Sequence, residues 1–70
     1  MKPSLDVRFW PLDGSQWIAK TAEALMVIGV EADAIKRFTR RMSGVKDFSL
    51  LCEGCVAALG AFYKVKGGPE

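Results

Sequence analysis

Histidine is absent from this chain, and with it the commonest general base near neutral pH. No glycine-rich phosphate loop is present. The carboxylates Asp6, Asp13, Glu23, Glu31, Asp33, Asp47 and Glu53 are spread along the sequence without a paired motif. There are only two cysteines, Cys52 and Cys55, in a Cys-Glu-Gly-Cys spacing. A structural zinc site takes four ligands, and a thioredoxin-like pair sets its first cysteine at a helix N-terminus after a strand. Here two leucines precede Cys52, about a turn inside an apolar helix, where cysteine behaves as a small hydrophobe. The expectation is no catalytic residue, no metal, no cofactor and no enzyme activity.

Long apolar runs are lacking too. The longest, Leu50 to Val65, is interrupted by Glu53 and Lys64 and falls short of the roughly 20 residues that span a bilayer. No apolar run follows Lys2, so no signal peptide is expected. The expected setting is cytoplasmic, with no membrane partner. A net charge of +2 is too small to imply nucleic acid by itself.

What the chain does have is apolar content: half of its 70 residues are hydrophobic. A single domain (1–70) of this size buries only about 60% of its unfolded surface. Coverage of some apolar surface by a second copy is the preferred expectation, giving a homodimer; a tightly packed monomer is the alternative.

The stretch from Asp47 to Val65 is expected to be the central helix. At about 100° per residue it shows one stripe of Phe48, Cys52, Cys55, Leu59 and Phe62. A second stripe holds Leu50, Gly54, Ala57, Ala58, Ala61 and Val65. A helix apolar on most sides is expected to be surrounded. Asp47 or Ser49 would cap it.

Upstream, Leu5, Val7 and Phe9 alternate with Asp6 and Arg8, a period of two that suits a short strand. Trp10-Pro11 ends it, so residues 1–12 read as an extended arm or strand. A first helix from about Gln16 to Ile28 follows, capped by Asp13 or Ser15 and stopped by Gly29. Trp17, Ile18, Thr21, Leu25 and Ile28 face one way, with Met26 and Val27 adding apolar surface outside that stripe. The tail from Lys64 to Glu70 ends in Gly67-Gly68-Pro69 and is expected to fray, over 66–70 above all. The fold class is therefore mainly α: an N-terminal strand or arm, then three helices with the last one central to the core.

The second helix, from about Glu31 to Met42, carries the functional signal. Ala34, Ile35, Phe38 and Met42 make its inward face. Lys36, Arg37, Arg40 and Arg41 make an outward stripe of about 140° on the same projection. From Ala34 to Lys46 there are five basic side chains and no acidic one. Such a concentration suits contact with phosphate or with an acidic protein patch.

The run Leu25-Met26-Val27-Ile28-Gly29-Val30-Glu31 continues through Ile35 to Phe38 with Gly29 at a turn, Val30 after it, and buried positions six and nine residues beyond the glycine. In this it resembles a helix-turn-helix domain over residues 22–41. Leu50 to Gly60 is similar to the closing helix of phage-repressor-like members. The resemblance implies a DNA-binding regulator in which Arg37 and Arg40 face the nucleic acid. The strand-helix-helix order also resembles ribbon-helix-helix dimers, whose outward strand residues, here Asp6 and Arg8, read bases. Leu25 stands where the helix-turn-helix family carries a small alanine. Glu31 and Asp33 lie at the end of the helix that would enter the groove, and Asp6 would face bases; carboxylates in these places oppose phosphate.

The preferred expectation is thus a small regulatory protein that binds another protein and modulates or inhibits it by occlusion. Its contact residues would be Lys36, Arg37, Arg40 and Arg41 with Trp10 and Trp17, Phe9 adding exposed aromatic surface. The partner would present an acidic or apolar docking surface. DNA is the alternative target.

Overall fold

The computed structural model describes residues 1–67. In chain order the elements are strand β1 (Ser4–Asp6), helices α1 (Gly14–Val27), α2 (Ala32–Ser43) and α3 (Phe48–Gly60), and strand β2 (Lys64–Lys66). The chain is mainly α, opened by a short strand as its sequence implies.

The helix ends follow from local chemistry. The Asp13 carboxylate accepts hydrogen bonds from the amides of Ser15 and Gln16 at the start of α1. Asp47 does the same for Ser49 and Leu50 at α3. Each satisfies donors that the first helical turn cannot pair internally. Glu31 stands at the corresponding place of α2 without a side-chain cap. Gly29 closes α1 at φ +93°, a left-handed conformation that favours glycine. The Val30 amide then donates back to the Leu25 carbonyl at 3.0 Å, which fixes the turn into α2.

One core joins the elements. Trp17, Thr21 and Leu25 of α1 meet Ile35, Phe38 and Met42 of α2 and Leu51, Cys52, Cys55 and Leu59 of α3. Val7 and Tyr63 close it from the two ends of the chain. Leu59, Thr21 and Cys55 are fully buried. At the α2–α3 crossing, Met42 Sδ lies only 2.9 Å from where a Cβ on Gly54 would stand. The glycine leaves room there for a side chain, within the molecule. The buried Tyr63 anchors the chain after α3 by donating its hydroxyl to the Ala24 carbonyl of α1 at 2.6 Å.

Four expectations need correction. The apolar stretch is not one helix to Val65: α3 stops at Gly60, and Lys64–Lys66 form β2 instead of a frayed tail. β2 pairs in parallel with β1, Leu5 opposite Val65, and the Lys64 amide donates to the Pro3 carbonyl at 2.8 Å. The fraying expected at 68–70 lies outside the described residues. Nor does the strand at the other end run to Phe9. The Asp6 carboxylate takes both the amide and the guanidinium of Arg8, the chain turns, and Phe9 is left 86% exposed.

Thirdly, α3 is not surrounded. Leu50, Ala57 and Ala61 are exposed, because two other helices and two three-residue strands cover only one side of it. Fourthly, Trp17 is not exposed. It shares the inward face of α1 with Thr21 and Leu25, and only 5% of it is accessible.

Candidate protein-docking face on α2

The residue types of α2 sort cleanly by angle. Ile35, Phe38 and Met42 are buried, whereas Lys36, Arg37, Arg40 and Arg41 are all exposed. Among the described residues the one ion pair is Arg8–Asp6, with N–O 2.7 Å. The four basic side chains of α2 therefore have no carboxylate partner among those residues. Asp33, four residues before Arg37, forms no ion pair with it there, although that spacing brings side chains together on a helix. Arg40 and Arg41 lie in the last turn, where the carbonyl end of the helix favours cations.

On one flank of this basic face is an apolar groove of about 250 Å³, lined by Met26, Val30, Ala32, Ile35 and Lys36. It exists because the turn at Gly29 sets the end of α1 beside the beginning of α2. Met26 and the adjoining Val27 are 66% and 77% exposed. Pattern reasoning marked both as apolar surface beyond the main stripe of α1. The groove itself needs residues from two helices, and no single helical pattern displays it.

The aromatic half of the expected site lies elsewhere. Trp10 packs edge-on against Trp17 at 4.8 Å between ring centroids, and Trp17 against Phe48 at 6.3 Å. With Val7, Arg8 and Cys52 these rings line a separate cavity of about 300 Å³. Trp17 precedes Met26 by nine residues, about 14 Å along the axis of α1. The two cavities share no lining residue. Trp10 remains half-buried, and Trp17 serves the core. The structure brings the four basic residues together on one helix and does not bring the tryptophans to them.

Cys52 and Cys55 are reduced and buried. Burial, foremost, pushes both thiols above their ordinary value of 9.0. The fully buried Thr21 hydroxyl opposes that rise at Cys55, in a contact short of hydrogen-bond geometry. A raised thiol is the reverse of an activated nucleophile. Among the described residues no group of three or more metal-ligating side chains is present. At the N-terminal turn, hydrogen bonds from Arg8 hold the exposed Asp6 carboxyl at about 2, below its ordinary 3.8.

Comparisons with known proteins add no relative: no family model, curated protein or solved structure matches this chain. Among the described residues, no helix is long and apolar enough to cross a membrane.

Proposed function

We propose that this chain is a small non-enzymatic regulatory protein that docks onto an acidic partner protein through α2 and modulates or inhibits it by occlusion. The observation that carries this reading is the set of four exposed basic side chains on α2 without an ion-pair partner among the described residues. Exposed unpaired charges of one sign steer a complementary surface into register and raise the association rate. An apolar groove beside them offers the desolvated anchor point that charge at a rim does not provide. The buried, raised thiols and the lack of histidine support a binding role over a catalytic one.

Immobilised protein incubated with a lysate of the source cells should retain a protein that excess duplex DNA does not displace. Retention of nucleic acid alone would sink the proposal.

DNA binding through α2 is the second reading. Its specific support is the left-handed Gly29 between α1 and a basic α2. A DNA complex held by several phosphate contacts would weaken steeply with salt. A protein complex anchored in an apolar groove would respond far less.

The proposal includes a homodimer. Leu50, Ala57, Ala61 and Phe62 leave an apolar side of the molecule in solvent around α3, and Glu53 is the one charge on that helix. Light scattering coupled to size exclusion should give twice 7.7 kDa; the monomer mass over a wide concentration range removes the dimer from the proposal.

A further inference from the structure

Lys36 belongs to two features at once. It lines the apolar groove with Met26, Val30, Ala32 and Ile35, and it begins the basic row that continues one turn later at Arg40. Lys36 borders the groove, and residues four apart on a helix lie side by side, so Arg40 continues the basic row from Lys36 one turn further along α2. Arg37 and Arg41 fall on the far flank of the same helix, about 100° further round for each successive residue. Glu31 and Asp33 stand at the N-terminal end of α2 and would repel a carboxylate placed there. The charge pattern therefore has a direction: acidic at the N-terminal end beside the groove, basic towards the C-terminal end.

We infer that the groove receives a large apolar side chain from an acidic amphipathic segment of the partner. The carboxylates of that segment lie towards the C-terminal end of α2, against Lys36 and Arg40. This inference rests on the proposed protein-binding function and specifies the chemistry and register of that contact. Ile35, 8% exposed, supplies an apolar floor. The exposed Met26 supplies a flexible wall that can fit an anchor of varied shape. The groove thus supplies the apolar contact, and the two cations select the sign and direction of what enters it.

The probe is a fluorescein-labelled helical peptide with leucines four residues apart and glutamates along one flank. Controls are the same peptide with lysine for glutamate, with alanine for leucine, and a labelled DNA duplex. Titration followed by anisotropy and amide chemical shifts should show saturable binding of the acidic peptide alone. The shift changes should centre on Met26, Val30, Ile35 and Lys36. Lys36→Glu should weaken binding by about tenfold or more, and Met26→Ser should weaken it comparably, because both contact the anchor site. Arg41→Glu, on the far flank, should change it by less than about threefold, as expected for a screened exposed charge. All three positions are exposed, and circular dichroism verifies each fold; Lys36→Gln replaces Lys36→Glu if that variant unfolds.

If Lys36→Glu and Arg41→Glu weaken binding equally and Met26→Ser has no effect, the groove is not the anchor site, while the basic-face reading survives. If only the DNA duplex binds, or nothing does, the groove and the protein-docking reading fall together.

Discussion

Helices α2 and α3 are almost equal in length, at 12 and 13 residues, and opposite in how they divide their surfaces. On α2 every large apolar side chain is buried, and the other side is basic. On α3 the buried side is Leu51, Cys52, Cys55 and Leu59, and the opposite side still carries Leu50 and Ala57, with Ala61 just beyond its end. A helix with a sharp division has its core position fixed by one face, and its other face is free for work outside the molecule. A helix without it can be central to the core and still leave apolar surface that the chain is too short to cover. On the proposed reading the two helices have different tasks: α3 holds the fold together, and α2 meets the partner.

The largest effect should come from a contrast between two of the three leucines of α3, Leu59 and Leu50. Leu59→Ala at a fully buried site should cost about 3 kcal/mol through lost contacts and a residual cavity. Leu50→Ala, at a site 57% exposed, should cost less than about 0.5 kcal/mol in the monomer, as surface substitutions do. Urea unfolding of both variants at low protein concentration measures the contrast. Equal losses would show that the outer side of α3 is covered.

Next come the helix starts. Asp47→Ala removes the α3 cap and should cost about 1 kcal/mol, whereas Glu31→Asp gives α2 a capping side chain it lacks and should add up to about 1 kcal/mol. Thermal unfolding reads both signs. Equal destabilisation would mean that Glu31 serves α2 in another way.

A smaller effect should appear with pH. The folded-state values of Cys52 and Cys55 lie above 9.0, so the unfolded chain loses these protons first. The stability that the buried neutral thiols contribute is present below pH 9 and is lost as pH rises through the raised folded values. Replacing both cysteines with alanine should flatten that alkaline decline measured by urea unfolding. An unchanged slope would place its origin elsewhere.

The α2 pattern was legible because periodicity, charge and end residues agree within a dozen positions. Gly29 as a stop follows from local chemistry in the same way, and each cap narrows to two residues, of which the structure uses Asp13 and Asp47. β2 was not legible, since Lys64-Val65-Lys66 offers a single alternation against a glycine-rich tail. Its partner, β1, lies at the other end of the chain, and parallel pairing leaves no turn motif between strands. The burial of Trp17 could have been read from its place with Thr21 and Leu25 on one face of α1. Its aromatic character suggested surface, and the face was the better guide. Of the candidate site, the basic row is visible in sequence, while the groove beside it depends on the angle set by the turn at Gly29.

The most direct test of α2 as the working surface is the affinity of the retained partner for the parent protein and for the Arg40→Glu/Arg41→Glu variant. Both side chains project away from Ile35, Phe38 and Met42, so circular dichroism and unfolding midpoint should stay close to those of the parent. The last-turn position should cost less than about 1 kcal/mol through the helix dipole. Isothermal titration should show partner binding weakened by more than about 2 kcal/mol, the scale of an interface hot spot, with most of the loss coming from Arg40 because Arg41 stands on the far flank. A folded variant that binds as tightly as the parent would contradict the account and return α2 to the role of a solvated helix.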